Sequence, residues 1–503
     1  MNQIKTGILL SYIILILNTL IQIVYTPIML RLLGQHEYGL YTLSNGIISY
    51  LSLFDLGLSG AYLKFYAKYK SNCEDNKIII LNSTFLSVFI ILSFFTVLSG
   101  FTIAFHIEEF LNKSLSGLEL IKAKKIMILL TLSLGITLIS NVFSSIILAH
   151  EKFIKHRSVQ LLKIIFNPLI SIPLMIIGYG SLALSWGTLI SAFFTLIVYM
   201  HYCIKKLKCT FCLKKISKEL LKEVGKFSFF IFLNDIISQI NWNVDKILLG
   251  YFHGTIATAI YGVGSQIDVV YRSLSSAISS VYLPKINFLI AQMDNDHEVD
   301  KLFVKIGRIQ YFLIMLVLLE YLTFGKFFIQ LWAGTQYSES FYVALCLIVP
   351  VTIPLIQNLG IEIQRAKNKH QFRGIIYSLM AVINIIISIP LCKKYGSVGC
   401  ALGTSFSLLF GNGIIINWYY HRHIGLNIKY FWLEILKESR GLILPIICVI
   451  TLYYLKFEWT FLTFIVGGSI FAIIYFVSMW LWGLNNNEKS YICNLIKKVV
   501  KYD

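Results

Sequence analysis

Charge is scarce in this sequence, and so are polar stretches long enough to fold by themselves. Only 14% of its 503 residues are charged, against about 25% in soluble domains, while 57% are hydrophobic. No loop between apolar stretches much exceeds about twenty residues, too short for a nucleotide-binding or catalytic domain. The sequence has no GxxxxGK(S/T), no HExxH and no GxSxG, so it does not hydrolyse ATP by itself and no enzyme activity is expected. The ten histidines fall in or beside loops, none paired at metal-binding spacing, and read as solvated at the membrane interface. Among nine scattered cysteines, Cys209 and Cys212 form a lone CxxC with no second pair, which argues against zinc or redox chemistry. No cofactor is expected. Strand-type alternation is absent, which excludes an outer-membrane barrel.

What the sequence has instead is apolar runs of spanning length. About fourteen can be placed at the roughly 20 residues a transmembrane helix needs. Six lie between Gly7–Leu30 and Ser181–Ile204, and six more between Phe227–Leu249 and Val398–Tyr420. Leu442–Leu455, the shortest, and Phe461–Leu484 complete the set. The first run is too long for a removable signal peptide and no cleavage site follows it. The net charge of +19 does not indicate nucleic acid. Most Lys and Arg fall in alternate loops, a positive-inside bias that places both termini in the cytoplasm and makes anionic head groups their partners. The expectation is an all-α polytopic protein of the cell membrane.

The chain also repeats itself. Ala149–Leu174 aligns without a gap on Ala366–Leu391, setting NPLISIPL on NIIISIPL. One residue out of register, YGSLALSWGTLIS (Tyr179–Ser191) matches YGSVGCALGTSFS (Tyr395–Ser407), and the LLG ending at Gly34 falls on the LLG ending at Gly250. The shared Asn, Ser, Pro, Gly and Thr cannot arise from common greasiness. An offset of six spans preserves orientation, so two six-helix lobes are expected as parallel repeats, an arrangement in which transporters bind cargo between the halves. The lobes are residues 1–204 and 227–425. Residues 205–226 form a basic linker whose Ile216, Leu220, Leu221 and Val224 make one helical stripe, expected to lie on the membrane surface. Residues 426–503 hold two appended helices and a tail. Pro168, Pro173, Pro350, Pro354 and Pro390 are expected to bend or hinge their helices.

Within the apolar runs, a few charges stand out, because a charge at bilayer depth costs a few kcal/mol and normally faces protein or a water-filled cavity. Asp268 and Arg272 are one helical turn apart and either neutralise each other or line a cavity. Asp235 stands alone in the seventh span and is the first candidate for a proton or cation site, with Glu320 in the ninth span a second. Lys163 either snorkels to the interface or binds phosphate in a cavity. Asp55 pairs with a lysine or faces the interior. Arg31 and the Asp245–Lys246 pair read as interfacial near the outer face. Asn234 and Gln239 add neutral hydrogen-bonding surface for a hydroxyl-rich ligand, or glue between helices.

The segments RLLGQHEYGLYTL, FDLGLSGAYLKFYAKY and VDKILLGYFHGTIATAIYGVGSQI resemble the polysaccharide-transporter branch of the multidrug/oligosaccharidyl-lipid/polysaccharide exporter superfamily. The resemblance spans essentially the whole chain and is most specific at Asp245–Tyr261. It implies an alternating-access flippase for polyprenyl-diphosphate-linked oligosaccharide repeat units of O-antigen or capsule. It also implies coupling to a proton or sodium gradient, a cationic central cavity, and other polysaccharide-assembly proteins as partners. Arg272 and Lys163 are few cations for such a cavity, so Arg31 or Lys246 would have to contribute. Rival readings are a multidrug cation antiporter of the same superfamily, a lipid-linked peptidoglycan-precursor flippase, and a membrane polysaccharide polymerase. The polymerase would want a large acidic and arginine-bearing outer loop, which is absent.

Overall fold

The computed structural model describes residues 3–212, 218–291, 296–367, 369, 371–455, 457–490 and 493. They form helices and turns, with no strand among them. In chain order the helices are α1 (Gln3–Ser49), α2 (Leu58–Ser71), α3 (Asp75–Phe105), α4 (Ile107–Leu111), α5 (Gly117–Ala149), α6 (Phe153–Ile176), α7 (Leu182–His201) and α8 (Lys218–Ala291). Then come α9 (Asp296–Trp332), α10 (Ser340–Ile356), α11 (Asn358–Ala366), α12 (Gln371–Leu408), α13 (Asn417–Tyr419), α14 (Ile428–Glu438), α15 (Ile443–Tyr454) and α16 (Phe461–Ser478).

A helix rises about 1.5 Å per residue, so about 20 residues cross the hydrocarbon of a bilayer. Three elements exceed this twofold or nearly so, and each is broken once by a glycine. Gly34 in α1 has φ 72° and ψ 179°, Gly254 in α8 has 75° and −159°, and Gly396 in α12 has 57° and −131°. These backbone conformations suit a residue without a Cβ, and all three fall where the sequence predicts a turn between two spans. Among the described residues nine helices are long and apolar enough to cross a membrane, or ten if α10 and α11, bent by 45° at Gln357, count as one. Pro350 and Pro354 precede that bend, whereas α6 runs through both Pro168 and Pro173. At 12 residues α15 is too short to span alone; a tight turn, Ser439–Leu442, joins it to α14.

Packing divides the chain into two compact units. The first comprises Met1–Gly262, Trp332–Gly334 and Ile389–Cys400; the second comprises Val263–Leu331, Thr335–Ser388 and Ala401–Asp503. One core of the first unit gathers Tyr62, Phe65, Phe85, Phe89 and Phe143 from α2, α3 and α5, and another gathers Leu40, Leu43, Ile107 and Ile126. The basic linker departs from expectation. Leu220 and Val224, at the start of α8, are 5% and 3% exposed and join the α2–α3–α5 core. Their stripe is therefore covered by protein rather than laid on lipid, while Ile216 lies outside the described residues. The backbone before it is tied down as well, with the Cys212 amide donating to Ser83 Oγ at 2.7 Å. In the second unit, the rings of Phe303 of α9 and Phe431 of α14 pack tilted with centroids 4.8 Å apart, and Tyr475 of α16 donates to the Phe312 carbonyl at 2.6 Å.

The polar residues of the repeat turn out to be packing residues. A Cβ on Gly187 of α7 would lie 2.9 Å from Asn167 Oδ1 and 3.2 Å from Ser171 Cβ of α6. Gly403, its match in the repeat, faces Ser388, the match of Ser171; a Cβ there would collide with Ser388 Oγ and come within 2.7 Å of its Cα. Small residues let membrane helices approach this closely and gain dispersion contacts. Gly180 and Gly396, also matched, share φ values of 56° and 57°. The LLG match behaves differently: Gly34 is a break, whereas Gly250 is helical and packs beneath Leu43. Gly403→Val should therefore lower stability by about 1–3 kcal/mol through overpacking. Gly413→Ala, whose Cβ would meet only Ile353 Cδ1 at 3.7 Å, should not. Thermal unfolding of the two variants in detergent checks this.

Candidate functional site

The first unit contains a polar cavity of about 370 Å³ among α1, α5, α6 and α7. Lys163 and Gln160 of α6 line it together with Asn141 and Ser144 of α5 and Tyr199 of α7. Lys163 lines this cavity, and no described residue hydrogen-bonds or pairs with its ammonium. His156, also on its wall, is 6% exposed, with Nδ1 3.2 Å from Tyr199 Oη and 3.3 Å from Ser144 Oγ. This corrects the expectation that every histidine is solvated. Asn141 leads from the cavity to Asp55, donating to its Oδ1 at 3.1 Å, and Ser59 donates to the same oxygen at 3.1 Å. Asp55 thus faces the interior rather than a lysine. Asp235 is exposed on α8.

Further along α8 a hydrogen-bond ladder follows one helical face. Gln239 donates to Ser52 Oγ at 3.0 Å, Asn243 to Gln239 Oε1 at 2.6 Å, and Lys246 to Asn243 Oδ1 at 3.0 Å. Spacings of four and three residues keep these groups in line. The neighbouring Asp245 is not interfacial: it is 2% exposed and accepts from Tyr261 at 2.6 Å. Arg31 is exposed on α1 just before the Gly34 break. Asn234 lies on α8, with its side chain outside those described.

The turn at Gly254 is clamped to the start of the chain. Thr255 donates to Glu119 Oε1 at 3.1 Å and lies 3.2 Å from His36 Nδ1, while Gly39 abuts the Thr255 carbonyl. Glu119 also completes a capping box with Ser116 at the start of α5, accepting from its amide at 2.9 Å. Beside it, Glu37 bonds Lys122 Nζ and the Ser181 hydroxyl, and takes the Ser181 amide at 3.0 Å. None of the polar residues of this clamp was singled out from sequence, since the loops that bring them together are far apart in the chain.

In the second unit Asp268 and Arg272 do pair, with Nε and Nη2 each 2.9 Å from Asp268 Oδ2. Asp268 is 1% exposed. One turn of α8 later, a knot of polar groups joins three helices: Gln310 donates to Ser279 Oγ at 2.6 Å, and Gln310 and Asn358 both reach Ser275 Oγ at 3.2 Å. Glu320 is half-buried on α9, and no described residue pairs with it. The strongest charge cluster was missed from sequence. Arg308 is 3% exposed and donates to both carboxylate oxygens of Glu488, at 2.6 and 2.8 Å, and to the carbonyls of Glu434 and Gly483 at 2.8 and 3.0 Å. Among the described residues no group of three or more His, Cys, Asp or Glu could hold a metal ion.

Residues 4–289 match the model of a family described as polysaccharide biosynthesis protein, more than half of the chain. The chain belongs to that family. A putative O-antigen transporter of Shigella flexneri is 22% identical over 414 residues, covering 80% of this chain and 94% of the relative. The uncharacterised membrane protein EpsK of Bacillus subtilis (strain 168) is 23% identical over 429 residues, 82% of this chain and 81% of the relative. Among solved structures, the lipid II flippase MurJ in an inward closed conformation superposes with a TM-score of 0.73 at 17% identity, over 93% of this chain and 98% of that one. An inward-facing multidrug resistance transporter of the MATE family, in the MOP superfamily, gives 0.62 at 14% identity over 82% and 95%. This member of the polysaccharide biosynthesis family is thus a multi-pass membrane protein with the flippase and exporter fold, as the sequence resemblance implied.

Two outcomes follow from the geometry. Arg272→Ala leaves the Asp268 carboxylate buried without its counter-charge and should cost about 3–5 kcal/mol, while the double change Asp268→Asn, Arg272→Gln should recover most of it. Unfolding midpoints of the purified variants read this directly. The second concerns Glu37, which lies between two apolar stretches. Partial burial opposes its charge, but hydrogen bonds from Lys122 and Ser181 win and hold its carboxyl below the ordinary 4.5. A depressed carboxyl stabilises above its unfolded-state value and loses that contribution as pH falls through the folded one. The stability gap between wild type and Glu37→Gln should hold from pH 7 to about 5 and close only as pH drops below the ordinary glutamate range.

Proposed function

We propose that this protein is a flippase that carries a polyprenyl-diphosphate-linked oligosaccharide repeat unit from the cytoplasmic to the outer leaflet by alternating access, driven by an ion gradient. The carrying observation is the similarity to a putative O-antigen transporter over 94% of that protein's length. The physics agrees. A diphosphate and its sugars cannot enter hydrocarbon without losing their water, so they need a polar route through protein, and no bond has to be made or broken. In this reading both termini are cytoplasmic, the lobes are the two halves of the repeat, and the protein is not an enzyme.

The residues take roles on the same reading. Lys163, available in its cavity, and Arg272 provide positive charge for the diphosphate, with Arg31 and Lys246 as further cations and Asn234 and Gln239 as hydroxyl partners. Asp268 holds Arg272 in place. Asp235 takes the coupling proton or sodium ion, and Glu320 offers a second carboxylate for it. The clamp of His36, Glu119 and Thr255 closes one side of the pathway.

Proteoliposomes loaded with the lipid-linked oligosaccharide test this by following how much becomes accessible in the opposite leaflet. Lys163→Met should slow transfer by about tenfold or more, the worth of one charge-assisted hydrogen bond. Asp235→Asn should remove the response to an imposed ion gradient while leaving slow, gradient-independent transfer. Lengthening of the sugar chain would make the protein a polymerase. Accumulation of lipophilic cations in place of lipid transfer would favour the antiporter, a reading supported by Glu320, which has no partner among the described residues.

A further inference from the structure

A second cavity, of about 740 Å³, lies in the second unit, where α9, α14 and the segment after α16 meet. Its walls are of two kinds. Ile309, Phe312 and Leu313 of α9 and Leu484 make an apolar side, continuous with a helix long and apolar enough to span a membrane. The other side holds Glu434, Glu438 and Glu488 around Arg308, three carboxylates to one guanidinium. Lys301, which pairs with Glu298 at 2.9 Å, and Lys305 stand at the rim, one helical turn apart on α9 and both exposed.

The hydrogen bonds of this cluster are unevenly shared. Arg308 spends its donors on Glu488 and on two backbone carbonyls. Glu434 takes Lys437 Nζ at 2.6 Å. Glu438 receives nothing: its side chain is 0% exposed, its nearest approach to Arg308 is 3.9 Å, and neither carboxylate oxygen has a hydrogen-bond partner among the described residues. Burial pushes its carboxyl well above the ordinary range, Arg308 offsets this in part, and Glu488 and Glu434 push it further. A buried carboxylate with no donor is costly unless a cation reaches it. The wall it occupies is shared with a surface suited to an acyl chain.

We propose that this cavity binds a membrane phospholipid with a primary-ammonium head group, its ammonium donating to Glu438 and its chain lying along Ile309, Phe312 and Leu313. The head group's phosphate then falls at the rim, beside Lys301 and Lys305, and both charges of the zwitterion meet their opposites. Such a lipid ties α14 and the segment after α16 to α9. It is no part of the transport pathway proposed above and does not depend on that reading, because the test measures binding, not transfer.

The full-length protein in detergent is titrated with phosphatidylethanolamine, phosphatidylcholine or dodecylamine, and bound lipid is counted by native mass spectrometry alongside the unfolding midpoint. Phosphatidylethanolamine should bind saturably at one site and raise the midpoint. Phosphatidylcholine, which lacks N–H donors, should bind at least about tenfold more weakly, the worth of a charged hydrogen bond. Glu438→Gln, of the same size, should weaken phosphatidylethanolamine binding by a similar factor. Leu313→Trp, at a side chain 39% exposed and away from the carboxylates, should block the apolar wall and weaken binding even if the first variant folds poorly. Equal binding of the two phospholipids, or full binding by both variants, overturns the proposal. Binding of dodecylamine without phosphatidylethanolamine also overturns it, since the site would then serve a free amine rather than a lipid.

Discussion

A polar group that leaves water must find its partner inside the protein, and within a bilayer no solvent stands by to replace a missing one. Much of this structure answers to that constraint. Asp268 is held by Arg272, Asp245 by Tyr261, and Gln310 by a pair of serines, each with hydrogen bonds of ordinary length. The serines and threonines of the apolar helices largely turn back onto carbonyls three or four residues earlier, as Ser83, Thr96 and Thr352 do. Single oxygens are left over, Asp268 Oδ1 and Gln310 Oε1 among them, but a whole charged group without a hydrogen-bond partner among the described residues is conspicuous. Lys163 in the first unit and Glu438 in the second are two such groups, one at each of the two cavities described.

The same constraint explains the glycines. Helices that cross a membrane gain nothing from burying leucine against leucine rather than against lipid, so they must be held by contact at short range. Gly187 on Ser171 and Gly403 on Ser388 provide such contacts at matched places in the repeat, and the identity of these residues survives where the surrounding aliphatic side chains differ.

Most of the fold was legible because its signals are local. Twenty apolar residues announce a span, and glycine between two of them announces a turn, as Gly34, Gly254 and Gly396 show. The Asp268–Arg272 pair was legible for the same reason, since one turn of helix separates its members. What stayed hidden depends on distant partners. Arg308 sits at the edge of a span like any interfacial cation, and only the fold brings Glu434, Glu438 and Glu488 to it. The linker stripe at Leu220 and Val224 read as lipid-facing because amphipathicity gives the existence of an apolar surface and not what covers it. His156 and Asp245 were misplaced because closeness to a loop in sequence says little about depth within a bundle.

The chain passes from one compact unit to the other after Gly262, Leu331, Gly334, Ser388 and Cys400. Only one of these passages falls between helices; α8, α9 and α12 run straight through the others. No single proteolytic cut or gene split can therefore separate the units.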